Sequence, residues 1–398
     1  MDPRLRRPPR LCRGYGEPTV MRVLHVHSGN LYGGVERILA TLGRLRDVCP
    51  LMESHFALCF EGRLTEELMA ANAPFHLLGN ARTSRPLSVR RSRRALWNLL
   101  QSLRFDVVVT HSEWSQALFG SIVRGAQRPL VFWVHGTAPG PHWLQRWARR
   151  AAPDGVLYNS QFAAASTPGM NADVPTEVIY CPVAPPDRHS NADRIAVRRD
   201  LSTPGAATVI VQVSRMEAAK GHLVHLEALA MLKDLPGWIC WQVGGPQRRE
   251  EIKYHEKLQR TADCLGIARR VRFLGERSDV SRLLAAADIH CQPNTGPDAF
   301  GIIFIEALYA RLPVVTTAIG AAAEIVDGSC GILVPPGDPI SLSNALRMLI
   351  LDRDTRARLG AGGPEHAKRL CDPANTMNRL YELLACFANG KGGVRSAP

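Results

Sequence analysis

The sequence predicts an α/β protein of two Rossmann-like, doubly wound domains facing each other across a cleft. Three observations carry this expectation. The chain has 398 residues, beyond the length at which one hydrophobic core usually divides. Short apolar runs alternate with helical spacing throughout, as a buried parallel sheet with helical crossovers requires. The alternation stops once, at Cys181-Pro182-Val183-Ala184-Pro185-Pro186 and the polar stretch that follows, and then resumes.

In the first series the strand candidates are VLHVHS (23–28), HFALCF (55–60), FDVVVTHS (105–112), PLVFWVHG (129–136) and DGVLYNS (154–160). Each is nearly continuously apolar, so each is expected to be buried on both faces. Between them, Val35–Leu45 and Arg93–Leu103 carry apolar residues at helical spacing. The second series runs TVIVQVSR (208–215), GWICWQVGG (237–245), VRFLG (271–275), DIHCQPN (288–294), LPVVTTAIG (312–320) and GILVPPGD (331–338). Helical segments around 341–350, 355–370 and 374–388 close the chain, and the last is expected to pack back across the boundary. The resulting division is an arm over 1–20, an N-terminal domain over 21–185, a C-terminal domain over 186–373, and a final helix with tail over 374–398.

Composition narrows the function classes. Apolar residues make up 45% and charged residues 21%, the balance of a globular protein. Lys and Arg number 49 against 36 Asp and Glu, a net +13. Residues 1–20 hold five Arg against Asp2 and Glu17, so most of the excess belongs to the folded chain and suits anionic ligands or an anionic membrane surface. The segment 1–20 has no apolar core of the secretory type and reads as a disordered basic arm, either functional or upstream of a start at Met21. No apolar run reaches membrane-spanning length. The ten Cys form no C-x-x-C pair, which fits a reducing cytoplasm. No aromatic-basic interleaving supports a nucleic-acid partner.

The polar signatures fall at strand ends, where such sheets bind ligands. Gly33 and Gly34 precede the helix of GGVERIL, which reads either as a tight turn or as a backbone approach to an anion. The stretch is not G-x-G-x-x-G, and no acid stands where a ribose reader of a nicotinamide fold would be. His135 ends the run VFWV, either as a structural hydrogen-bonder or as a group touching a sugar or departing phosphate; His25, His27, His111 and His142 are weaker candidates. Arg215 and Lys220 stand five apart in SRMEAAKG. They are either solvated charges or a grip on a diphosphate, where two cations offset charge developing on a leaving group. Asp298 and Glu306 flank Phe300-Gly301-Ile302 in PDAFGIIFIEAL. Asp298 is an N-cap on one reading. On the other, both carboxylates accept from hydroxyls while the amides of Phe300, Gly301 and Ile302 face negative charge. No metal-ligand spacing of the H-E-x-x-H type occurs, so no metal is expected.

In their order and spacing, GGVE, SRMEAAKG and the acid-x7-acid stretch resemble those of the retaining family 4 glycosyltransferases of the GT-B fold, over about residues 21–388. The resemblance implies a metal-independent enzyme moving a sugar from a nucleotide-diphosphate donor of the UDP or GDP type to a hydroxyl of a glycan, lipid-linked saccharide or small molecule. It implies that Arg215 and Lys220 bind the donor diphosphate, that Gly33 and Gly34 line it, and that Glu306 holds the ribose. Asp298, with the amides of Phe300, Gly301 and Ile302, would hold the transferred sugar, and His135 would lie beside it. Gly244, Gly245, Pro246, Glu276 and Arg277 would flank the base. The first acid is Asp298 where the family has Glu, one methylene shorter. An epimerase or a non-catalytic carbohydrate-binding subunit are the alternatives for the same fold. Finally, Arg82, Arg85, Arg90, Arg91, Arg93 and Arg94, together with Trp143 and Trp147 in HWLQRWARR, read either as a solvated basic face or as peripheral contact with anionic lipid at the inner face of a membrane.

Overall fold

The computed structural model describes residues 20–136, 143–167, 174–186 and 189–389. The expected arm falls outside the described residues apart from Val20, as do His142 and the tail beyond 389.

The chain builds two all-parallel sheets. The first contains β1 (Met21–His27), β2 (Met52–Leu58), β3 (Phe75–Leu77), β4 (Val107–His111), β5 (Leu130–Val134), β6 (Gly155–Tyr158) and β7 (Thr176–Val178) in the order β3-β2-β1-β4-β5-β6-β7. The second contains β8 (Thr208–Val213), β9 (Trp238–Val243), β10 (Val271–Phe273), β11 (Ile289–Gln292), β12 (Val314–Thr317) and β13 (Gly331–Val334) in the order β10-β9-β8-β11-β12-β13. Both orders are doubly wound. The inner strands β4, β5, β6, β9, β11 and β12 are buried at every residue, which is why each reads as a largely apolar, uncharged run. Five strands are legible in the first half and seven form; β3 and β7 are three-residue edge strands that remain partly exposed. The polar residues closing several runs, Ser28, His135, Ser214 and Arg215 among them, lie just beyond their strands.

The helices cover the expected segments with shifted ends. Gly34–Arg44 follows β1. Pro86–Ser102 begins seven residues before the periodic pattern, with Pro86 in its first turn, where proline's missing N–H costs nothing. Three helices, Pro339–Leu351, Arg353–Cys371 and Pro373–Ala388, end the described chain. The last one returns to the first sheet. Phe387 lies over Gly155 of β6 so closely that a Cβ there would come within 2.5 Å of its ring. The stretch after β7 is tied to the same region, with Val183 N–H donating to Cys371 O at 3.2 Å.

Each sheet reverses its strand order once, between β1 and β4 in the first and between β8 and β11 in the second. Loops leaving such a switch point diverge to opposite faces of the sheet and leave a crevice beyond the carboxyl ends. The loop from Ser28 to Gly33 leaves the first switch point. Ser214–Lys220 and Asn294–Asp298 leave the second. The polar signatures therefore converge because of topology, although they come from distant parts of the chain.

Candidate active site

A cleft of about 380 Å³ is lined from both domains by Gly33, Gly34, His135, Arg215, Lys220, Asp298, Phe300, Gly301 and Ile302. Gly244, Gly245, Glu276 and Arg277 also line it. Glu306 does not. It lines an adjoining cavity of about 390 Å³ with Arg37, Arg44 and Arg63, and the two cavities share Tyr32, Arg37, Ile38, Arg63, Val280 and Ile302.

The second domain contributes a fixed ion pair. Lys220 Nζ donates to Asp298 Oδ1 at 2.5 Å, and Asn294 Nδ2 donates to Oδ2 at 3.0 Å, so both oxygens of Asp298 are engaged. The Lys220 carbonyl accepts from Gln212 Nε2 on β8 at 2.8 Å. Gly221 lets this loop close: its φ is +72°, and a Cβ there would overlap the Pro293 carbonyl oxygen, a position only glycine fills without strain. Asp298 is not the helix cap. The helix Ile302–Tyr309 is preceded by Gly301 at the cap position, with no side-chain cap. The amides of Phe300, Gly301 and Ile302 donate to nothing within the described residues, leaving a helix start open to negative charge.

Arg215 departs from expectation in one respect. At the end of an apolar strand its charge is expected to need a ligand as partner, but its guanidinium pairs with Glu217 at 2.8 Å. Glu217 lies two residues on in the same loop, a pairing the strand-end pattern does not reveal.

The first domain contributes a glycine loop and its anchor. Glu36 Oε2 accepts from Gly33 N–H at 2.8 Å, and its Oε1 lies 2.7 Å from His27 Nε2. A carboxylate here can only accept, so Nε2 of His27 carries the proton. Burial alone would raise the Glu36 carboxyl, but the His27 and backbone hydrogen bonds outweigh it and hold it below the usual range. The missing Cβ of Gly34 faces open cleft, with nothing within 4 Å. Glu36 was visible within GGVE, yet an acid in a first helical turn reads as a dipole partner and so gave no signal of this role.

Glu306 is met from across the cleft by Arg37, which donates to its Oε1. Its Oε2 is buried without a partner. Burial pushes the Glu306 carboxyl above its usual range, against the opposing charges of Arg37 and Arg44. Tyr32 and Arg63 complete this wall, the guanidinium 4.2 Å from the ring centroid. The domains are also joined at the cleft rim. Glu324 accepts from the amides of Gln161 (2.9 Å) and Phe162 (2.6 Å) and from Tyr180 hydroxyl (2.9 Å), and Ser160 Oγ donates to Ala299 O.

Among the described residues one trio could ligate a metal, Asp327, Cys330 and His366. It lines neither cavity, and Arg369 lies 2.7 Å from His366 Nδ1, a cation at a would-be ligand atom.

Comparison with known proteins agrees with this architecture. The family described as Glycosyl transferases group 1 matches residues 193–366, and that described as Glycosyltransferase Family 4 matches residues 32–185. A D-inositol 3-phosphate glycosyltransferase of Corynebacterium jeikeium is 36% identical over 198 residues, 47% of this chain and 46% of that protein. This chain thus aligns with about half the length of that relative, and a second such protein, from Corynebacterium urealyticum, aligns over 45% of its length. The phosphatidyl-myo-inositol mannosyltransferase of Mycobacterium leprae is 37% identical over 73% of this chain and 70% of its own. Among solved structures, Anabaena HepE in complex with UDP and glucose superposes with a TM-score of 0.82 at 24% identity, over 92% of this chain and 99% of that one. Two facing parallel sheets with their switch points on one cleft, and the identity to the Mycobacterium leprae protein across most of both chains, lead to one conclusion: the chain belongs to the group 1 glycosyltransferases of the GT-B fold.

Proposed function

We propose that this protein transfers a sugar from a nucleotide-diphosphate sugar to a hydroxyl acceptor with retention at the anomeric carbon and without a metal ion. The observation that carries the proposal is the convergence of Lys220, Arg215 and the open helix start at Phe300–Ile302 on the cleft that Gly33 and Gly34 line from the other domain. Two cations and three amides suit a diphosphate, and they supply the stabilisation that a divalent ion provides elsewhere. The bond between the anomeric carbon and the β-phosphate oxygen breaks. The acceptor oxygen bonds the same face of that carbon, and its proton passes to the departing phosphate oxygen.

A double displacement would need a carboxylate free to attack beneath the sugar. Asp298 pairs with Lys220 through Oδ1, and Asn294 holds its Oδ2; a donor that draws Lys220 away leaves the Asn294 hydrogen bond in place, which favours a positioning role. A sugar trapped covalently on Asp298 would overturn it. Glu306, with one unpartnered buried oxygen, is suited to accept from ribose hydroxyls once Arg37 gives way. Because the curated relatives are named for inositol phosphate and phosphatidyl-myo-inositol, phosphorylated polyols and their lipids belong in the acceptor screen.

A melting-temperature screen with UDP, GDP and their sugar conjugates tests the donor site. A nucleotide at a hundred times its Kd stabilises by about 2.7 kcal/mol, a rise of about 3 °C in a chain of this length. No rise with any nucleotide sinks the assignment. Altered sugar nucleotide with no acceptor consumed would indicate an epimerase.

The protein is also inferred to act in a reducing cytoplasm, in peripheral contact with anionic membrane. Among the described residues, Cys49, Cys59, Cys181, Cys240, Cys264, Cys291, Cys330 and Cys371 form no disulfide. Within those residues no helix is long and apolar enough to cross a membrane. Supporting a surface contact, Trp97, Trp114 and Trp143 are exposed, and Trp97 shares the helix Pro86–Ser102 with Arg90, Arg91, Arg93 and Arg94. Such a contact is mainly electrostatic and releases in high salt.

A further inference from the structure

Two buried side-chain amides stand in line behind Asp298. Gln292 closes β11, Pro293 follows, and Asn294 opens the loop that leads to Asp298. Gln292 Nε2 donates to Asn294 Oδ1 at 3.0 Å, and Asn294 Nδ2 donates to Asp298 Oδ2 at 3.0 Å. Both amides are buried, and Gln292 lines the cleft together with Asp298. The carboxylate sets the direction of this chain. Paired with Lys220, Asp298 can only accept, so Asn294 must turn its Nδ2 toward it. Asn294 Oδ1 then faces Gln292, which meets it with Nε2. Reversing either amide would set two acceptors face to face.

The loop backbone is held by other means. The carbonyls of Gln292 and Asn294 accept from the hydroxyls of Thr316 (2.8 Å) and Thr317 (2.7 Å) on β12, and the Asp298 carbonyl accepts from Ala321 N–H at 2.9 Å. Thr295 and Gly296 donate their N–H groups to the Ala219 carbonyl at 2.9 and 3.1 Å, which ties this loop to the one that carries Lys220. Beyond their two bonds, the side chains of Gln292 and Asn294 have no hydrogen-bond partner among the described residues, and Gln292 Oε1 is buried unpaired. Burying two amides and leaving one oxygen unsatisfied adds little to stability. What the arrangement achieves is a fixed carboxylate, the supporting shell that a precise site needs.

The two grips on Asp298 differ in permanence. A diphosphate competes for Lys220, which lines the cleft, whereas the buried Asn294 amide has Asp298 as its acceptor. We propose that Gln292 and Asn294 are positioning residues that keep Asp298 in place while Lys220 exchanges to the donor, holding Oδ2 and leaving Oδ1 for a hydroxyl of the transferred sugar. The direction of the amide chain stands independently of the reaction; that the hydroxyl belongs to a sugar rests on the glycosyl-transfer reading. Asn294 is therefore expected to act on recognition of the sugar and not of the nucleotide.

The test compares a nucleotide with its sugar conjugate. Asn294→Ala is expected to bind UDP or GDP as the parent does but to lose about tenfold in affinity for the conjugate, the worth of one hydrogen bond to a charged group. Its kcat should fall as well, because an unfixed carboxylate misplaces the sugar. Equal losses for nucleotide and conjugate mark a merely structural residue and overturn the proposal, as does undiminished affinity for the conjugate. Gln292→Met keeps a similar size without the donor and frees Asn294 to turn its amide. The same split, smaller, is expected; parent-like affinity for the conjugate refutes the relay, and this variant decides if Asn294→Ala does not fold. In the parent, the Asn294 side-chain amide protons, assigned by their absence from Asn294→Ser, should exchange slowly with solvent both in the free chain and with the sugar nucleotide bound. Rapid exchange in the complex shows that the bond does not survive donor binding and overturns the proposal. If no nucleotide binds the parent, the glycosyl-transfer reading fails, while exchange in the free chain still decides the amide chain.

Discussion

Replacing Lys220 by Ala tests the site at its most constrained point. The mutation removes a cation 2.5 Å from Asp298, from a pair whose side chains are only 17% and 22% exposed. An exposed pair contributes about 0–1 kcal/mol, whereas losing one partner of a fully buried pair costs about 3–5 kcal/mol. Asp298 retains its hydrogen bond from Asn294, which places the expected loss between these limits, at about 2 kcal/mol. With an unfolding entropy of about 2.1 cal/mol/K per residue, that loss lowers the melting temperature by about 2–3 °C. The ligand-dependent effect is larger, because one preorganised group facing a developing charge is worth about 10²–10³ in kcat. The double variant Lys220→Met, Asp298→Asn leaves no uncompensated charge, so its stability should return toward that of the parent while turnover stays low. Thermal melts with and without nucleotide, followed by initial rates, separate the two effects. A folded Lys220→Ala protein that keeps both the full nucleotide-induced shift and normal turnover refutes the diphosphate role.

Two further outcomes are expected. Gly34→Ala adds a methyl that meets no protein atom within 4 Å, so stability should hold or rise by up to about 1 kcal/mol while nucleotide binding weakens; undiminished binding would show that the ligand does not approach this loop. In acid, His25 and His135 protonate at about 3 in the folded chain, mainly because of burial, but near 6.5 when unfolded. The stability they contribute is therefore complete above pH 6.5 and lost as pH falls toward 3. Between pH 7 and pH 5.5 each should cost about 1.3 kcal/mol, seen as a falling urea midpoint; a flat midpoint would contradict the burial of these rings.

What the sequence reveals follows from where chemistry interrupts burial. The central strands are legible because a parallel strand covered on both faces has no polar phase. Phe75–Leu77 and Thr176–Val178 escape because short edge strands are partly solvated and carry no such run. Arg215 stands out as a charge closing an apolar run, and Lys220 and Asp298 by their places in SRMEAAKG and PDAFGIIFIEAL. The Arg37–Glu306 contact does not, since it joins residues 269 positions apart on different domains. His25 and His111 look like isolated core histidines until the register of three strands is known, because only an offset of two residues per crossing brings the rings of His25, His111 and His135 into hydrogen-bonding distance.

That same dependence on tertiary register governs how the cleft can discriminate. Its principal cations are already satisfied in this structure: Lys220 by Asp298, Arg215 by Glu217, and Arg37 by Glu306. A ligand must therefore exchange partners with a carboxylate, and a weakly hydrogen-bonding or neutral molecule gains nothing by displacing one. A diphosphate presents several charged oxygens and can replace more than one carboxylate at once. On the proposed glycosyl transfer, the carboxylates it frees would serve as acceptors, Asp298 to a sugar hydroxyl and Glu306 to a ribose. On the same proposal, donor binding and sugar positioning would be coupled through these ion pairs. For that reason Asp298→Asn, which cannot hold Lys220 as an ion pair, should alter the affinity for a nucleoside diphosphate that carries no sugar at all; identical affinity in parent and variant would separate the two halves of the site and break the coupling.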